Sequence, residues 1–91
     1  MKVILLLTGL LGAISAHALE DRKCYVELEN GEHVILQGTI TDSQKPEVIF
    51  KKKGFEMDGQ LSMVRRVLEC QPSAQPFNLV AAQKQESQQP R

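Results

Sequence analysis

Lys23-Cys24-Tyr25-Val26-Glu27-Leu28-Glu29-Asn30-Gly31-Glu32-His33-Val34-Ile35-Leu36-Gln37 is the stretch that decides the fold. Apolar and polar residues alternate on both sides of Asn30-Gly31, the pattern of two strands joined by a tight turn. Two registers compete. A two-residue loop at Asn30-Gly31 would set Glu29 against Glu32, like charges directly opposite each other, and Leu28 against His33. A three-residue loop, Glu29-Asn30-Gly31 with Gly31 in the left-handed conformation, pairs Leu28 with Glu32, Val26 with Val34 and Cys24 with Leu36. The second register gathers Cys24, Val26, Leu28, Val34 and Leu36 on one face, and places Tyr25 opposite Ile35 and Glu27 opposite His33 on the other. The reading is therefore a bulged hairpin.

Moving toward the C-terminus, Asp42-Ser43-Gln44-Lys45-Pro46 is a turn or loop by composition. Glu47 to Phe50 reads as a short third strand, ending in a solvated tip, Lys51-Lys52-Lys53-Gly54, that discourages edge-to-edge pairing. Phe55 to Gln60 reads as another turn. Leu61 to Cys70 fits either a helix, through the stripe Leu61, Val64, Val67 and Leu68, or a strand. A strand over Val64 to Cys70 is preferred, because it brings a second cysteine beside the hairpin. Simple alternation would then turn an arginine inward, from whichever of Arg65 and Arg66 shares the buried face. Beyond Gln71-Pro72 the chain is rich in proline and glutamine, a composition that does not order itself alone. Phe77 to Gln85 can form one or two helical turns capping the sheet through Phe77 or Val80, with the tail disordered beyond Glu86. The fold class expected is small and mainly β, with α+β as the variant. It is an antiparallel sheet of three to four short strands built on the N-terminal hairpin.

Moving the other way, Lys2 precedes an apolar run from Val3 to Ala13, and Ala16-His17-Ala18 places small residues before Leu19. That is the layout of a secretory signal peptide cleaved between Ala18 and Leu19. The 14 residues from Val3 to Ala16 fall short of the roughly 20 a membrane-spanning helix needs. No cysteine follows the cleavage site to carry a lipid, and no arginine pair precedes the run. The chain of 91 residues divides into a leader over 1–18, a small domain over 19–71 and a tail over 72–91.

Losing the leader removes Lys2 from eleven basic residues and leaves eleven acidic ones untouched, for a net charge of about −1. Nothing in that balance steers the protein toward nucleic acid. So small a domain buries only about 60% of its unfolded surface, which leaves the core marginal without a staple. Cys24 and Cys70 are the two cysteines, and an even count in an exported chain reads as a disulfide. Closing the loop between them contributes about 4 kcal/mol in the loop-entropy model.

Chemistry-bearing patterns are sparse. His33 with Glu27 supplies a base and a carboxylate, but no nucleophile is placed beside them, so a cross-strand surface pair accounts for both. Glu27 and Glu29 alternate on a strand at ordinary positions. No glycine-rich phosphate loop or calcium loop occurs, and Cys24, Cys70 and His33 lack a zinc spacing. No catalytic residue, cofactor or metal ligand is assigned, and a binding or assembly role is preferred over an enzyme.

The Lys23-Cys24-Tyr25-Val26-Glu27-Leu28 start, the glycine hairpin turn, Val67-Leu68-Glu69-Cys70 and Phe77-Asn78-Leu79-Val80-Ala81-Ala82 together resemble the TapY-type small exported proteins. That family accompanies minor pilins and a PilY-like tip adhesin in the type IV pilus and type IVa secretion gene clusters of Gram-negative bacteria. The resemblance spans residues 22–38 and 64–82, while Gln44 to Leu61 matches nothing in it. It implies a periplasmic or secreted accessory, bridged through Cys24 and Cys70, that works by contact with a minor pilin or tip component. Strand addition is the mode of contact that fits a small sheet, with Tyr25 and Glu27 or Val48 and Phe50 on the edge used. The alternative function is a small inhibitor of a hydrolase, with Gly38 to Pro46 or Lys51 to Gly59 as the reactive loop.

Overall fold

Val26 pairs with Val34, Cys24 with Leu36 and Glu27 with His33, the register of the three-residue loop. In the computed structural model, which describes residues 18–89, the turn is closed by the Gly31 N–H donating to the Leu28 carbonyl and the Leu28 N–H donating to that of Glu32. Gly31 has φ +92°, the left-handed region expected of it. Apart from Ala18, the leader expected over 1–18 lies outside the described residues. Among the described residues no helix is long and apolar enough to cross a membrane.

The hairpin strands are β1 (Leu19–Leu28) and β2 (His33–Thr41), followed by helix α1 (Pro46–Lys51), strands β3 (Gly54–Met57) and β4 (Gln60–Pro72), and helix α2 (Val80–Gln88). All strand pairs are antiparallel and the sheet order is β2-β1-β4-β3. The mainly-β expectation holds, with four strands and two short helices among the described residues.

β4 runs 13 residues, longer than the Val64–Cys70 expected, and its helical-looking stripe has a simple cause. Cys70 pairs with Cys24, Val67 with Val26 and Val64 with Leu28, and the register shifts twice between those pairs. Each shift is a β-bulge that inserts one extra residue on β4. The apolar residues of β4 therefore recur every third position while staying on one face. Arg65, Arg66 and Leu68 turn outward, so no arginine is forced into the core.

The segment 47–50 is not a strand. Pro46 begins α1 with its fixed φ, Glu47 sits in the first turn and Lys51 in the last, which suits the helix dipole. The β-branched Val48 and Ile49 yield to packing, because a helical turn lets Phe50 enter the core completely. Its ring lies 3.3 Å from where a Cβ on Gly38 would stand, so glycine at 38 leaves the room it fills. The two expected inhibitor loops are shortened: residues 38–41 belong to β2, Pro46 and Lys51 to α1, and 54–57 to a further strand.

The turn expected over Phe55 to Gln60 instead holds most of β3, which pairs Met57 with Gln60 across a two-residue loop. Asp58 and Gly59 both have positive φ, at 51° and 80°. That is the geometry an Asp-Gly hairpin turn prefers, and Phe55, Met57, Leu61 and Met63 flank it at alternating positions.

The core lies on the face expected. Cys24, Val26, Leu28, Val34, Leu36, Ile40, Phe50 and Val64 form one buried cluster, with Phe55, Val67 and Cys70 packed against it. The disulfide Cys24–Cys70 joins β1 to β4 within it. The opposite face has a second, smaller cluster of Tyr25, Ile35, Phe77 and Ala82, made when α2 lies down on the hairpin.

Candidate functional site

The second face of the sheet carries most of the polar organisation. Lys23, Tyr25 and Glu27 project from β1 on this side, because they alternate with the core residues Cys24, Val26 and Leu28. Tyr25 stacks on His33 with ring centroids 5.5 Å apart and meets Phe77 edge-on at 6.5 Å. The Lys23 ammonium sits 4.8 Å from the centre of the Phe77 ring and pairs with Glu86 at 2.8 Å. An open cleft of about 610 Å³ lies between the hairpin tip and α2, lined by Tyr25, His33, Lys84, Gln85 and Gln88 among others.

Glu27 is the hub at the hairpin end. Its carboxylate accepts from Arg66 Nε at 2.6 Å and Arg65 Nη1 at 3.2 Å, and His33 Nε2 lies 4.0 Å away. The Arg66 hydrogen bond, aided by the charges of both arginines, holds the Glu27 carboxyl below its ordinary 4.5 against the desolvation that would raise it. Arg65 also donates to the Glu29 carbonyl at 2.8 Å, tying β4 to the hairpin loop. This arrangement fixes a carboxylate rather than freeing it, so His33 has an aromatic neighbour and an arginine-bound acid beside it, not a nucleophile.

Glu69 on β4 holds the other end of α2. Burial pushes its carboxyl up, but hydrogen bonds from the Asn78 N–H, the Gln71 side chain and the Leu79 N–H, with Lys23 nearby, outweigh that and hold it low. The three bonds measure 2.7, 2.8 and 2.9 Å. The Asn78 and Leu79 bonds satisfy backbone donors just ahead of the helix, where Leu79 as N-cap has no side chain able to do so. Phe77 is the docking residue and is 1% exposed, whereas Val80, the other candidate, is 76% exposed.

Gln89 ends the docked segment. Its side-chain carbonyl accepts from the Ile35 N–H at 2.9 Å, and its amide nitrogen donates to the Ile35 carbonyl at 2.8 Å. The expected disorder beyond Glu86 is replaced by a helix to Gln88 and this clasp, because the sheet supplies the partners that the tail cannot provide for itself.

The expected contact edges are not edges. Tyr25 and Glu27 lie on β1, flanked by β2 and β4, so both sides of their strand are paired. Val48 is half exposed on α1 and Phe50 is core. Leu19 opens β1, and the Ala18 carbonyl accepts from the Asp42 N–H. Cys24 and Cys70 are bridged as expected. Lys23, Glu69, Glu86 and Gln89 went unassigned in the sequence, since their partners sit 54 to 63 residues away for the two longest-range contacts or depend on where the helix begins. Among the described residues no group of three or more His, Cys, Asp or Glu could hold a metal ion.

These features define a small disulfide-stapled sheet, clasped on one face by a C-terminal helix and carrying polar surface. The chain belongs to the family described as type IVa secretion system protein TapY2-like, whose model matches residues 2–91. No curated protein and no solved structure matches the chain.

Proposed function

We propose that the chain is an exported, non-enzymatic accessory of the type IVa secretion or type IV pilus apparatus. It acts by protein–protein contact with a minor pilin or tip component. The observation that supports this most is the family match over residues 2–91, with its secretion-system description. The Cys24–Cys70 bridge is in keeping with export, because such bonds persist in oxidising compartments and are rare in the cytosol.

A clean deletion, complemented in trans, tests the reading. Loss of piliation, twitching or secretion through the apparatus is the expected result, and normal behaviour in all three would reject it. Fractionation of the complemented strain should recover a periplasmic or secreted chain whose first residue is Leu19. Recovery of an uncleaved cytoplasmic chain would reject export.

A further inference from the structure

A sheet of order β2-β1-β4-β3 has two outer edges. The β3 edge is four residues long and follows Lys51-Lys52-Lys53, and a short strand next to lysines is a common way of blunting an edge. The β2 edge is different. It runs nine residues, His-Val-Ile-Leu-Gln-Gly-Thr-Ile-Thr, with no proline, lysine, arginine or carboxylate.

The ladder shows which backbone groups face outward. The Leu28 N–H donates to Glu32 and the Asp42 N–H to Ala18, so even-numbered residues of β2 turn their groups toward β1 and odd-numbered ones turn away. Of the outward set, Thr41 has its N–H satisfied by the Gln44 side chain. Ile35 has both groups satisfied by Gln89. Among the described residues no hydrogen bond reaches the outward backbone groups of Gln37 and Thr39. An open hollow of about 340 Å³, lined by Asp21, Gln37, Gly38, Thr39 and Ser73, reaches from β2 across β1 to the end of β4.

The Gln89 carboxamide reproduces what a neighbouring strand would give Ile35, one acceptor and one donor in a single planar group. We propose that the β2 edge from His33 to Thr39 receives an extended backbone segment of a secretion-apparatus partner, and that Gln89 is the stand-in which this segment displaces. The inference rests on the accessory reading and gives it a surface. The guard can leave by itself: Gln89 lies beyond α2 as its C-cap, so its side chain can release Ile35 while the Lys23–Glu86 pair and Phe77 hold the helix in place. Strand addition then supplies main-chain hydrogen bonds along the edge, with side chains alternating between the two faces.

The test uses the full, disulfide-bonded chain against the purified soluble domains of the minor pilins and tip protein encoded with it. Binding is measured for wild type, Gln37→Pro, Gln37→Lys and Gln89→Ala. Proline at 37 removes an outward N–H without touching the β1 ladder, and lysine adds an edge charge should proline disturb the fold. Both should weaken binding by roughly tenfold or more, while Gln89→Ala should tighten it roughly three- to tenfold by removing a competitor. The Ile35 amide should exchange faster in Gln89→Ala than in wild type.

Wild-type affinity in both Gln37 variants would overturn the edge and leave the accessory reading standing. Unchanged Ile35 exchange and affinity in Gln89→Ala would overturn the guard. Self-association of Gln89→Ala without tighter partner binding would assign the edge to a second copy instead. Failure of every domain to bind any variant would remove the partner class and the edge proposal with it.

Discussion

Lys23 on β1 and Glu86 on α2 meet at 2.8 Å, with the lysine side chain only 4% exposed. The ammonium is thus held between a carboxylate and the face of Phe77, and this ion pair exists only while the helix is docked. Glu86→Ala should leave the buried Lys23 ammonium without its ion-pair partner, costing about 3 kcal/mol. Urea titration measures that cost. Hydrogen exchange should show the loss concentrated in α2 and at Ile35, with the β1–β4 ladder spared.

Reduction offers a second check. The bridge closes a separation of 46 residues, and removing such a constraint should lower stability by about 4 kcal/mol in the loop-entropy model. A Cys24→Ser, Cys70→Ser pair should be largely unfolded at 37 °C or melt far below wild type. A calorimetric melting temperature within a few degrees of wild type would show that the core carries the fold unaided.

Acid should loosen both ends of the second face. Glu27 and Glu69 are held below their ordinary 4.5 in the folded chain. A carboxyl with a lowered folded pKa contributes stability that is complete above its unfolded value and lost as pH falls through the folded one. Stability should therefore be level from neutrality to about pH 5 and decline below that as these two groups protonate. Denaturant midpoints across that range measure it, and Glu69→Gln should flatten part of the decline.

At the hairpin turn, Gly31→Ala should cost about 1–2 kcal/mol, the penalty for placing a Cβ in the left-handed region. The cost is conformational and not steric, because nothing lies within 4 Å of where that Cβ would stand. Gly31→Asn should then recover much of the loss, since asparagine tolerates this conformation. Melting curves of the two variants decide it.

How far residues betray this fold depends on how local the cause is. The hairpin register was readable because Glu29 and Glu32 repel in the wrong one and the core residues align in the right one. The bridge was readable from two cysteines and an apolar N-terminal run with the pattern of a leader. β4 was readable as a strand, but its threefold stripe imitates a helix, and only pairing with β1 reveals two bulges. Glu47 to Phe50 went the other way: Val48 and Ile49 favour a strand, while the pocket over Gly38 that rewards a helical Phe50 exists only in the assembled sheet. Asp58-Gly59 is a local signal for the β3–β4 hairpin, but a turn by composition does not by itself show that strands flank it. The second face was the least legible part. Lys23, Glu69 and Gln89 look like ordinary surface residues until α2 docks, and their partners come from distant segments.

The contacts of α2 also impose an order of events on the folding chain. Phe77 packs on Tyr25 of β1, Asn78 and Leu79 donate to Glu69 of β4, and Gln89 binds Ile35 of β2. The hairpin can form on its own from neighbouring residues, and β4 must then cross some 40 residues of chain to reach it. The helix has no complete seat until those three strands stand side by side. Its docking therefore follows the joining of β1, β2 and β4, and a chain with α2 in place already holds those three strands in register.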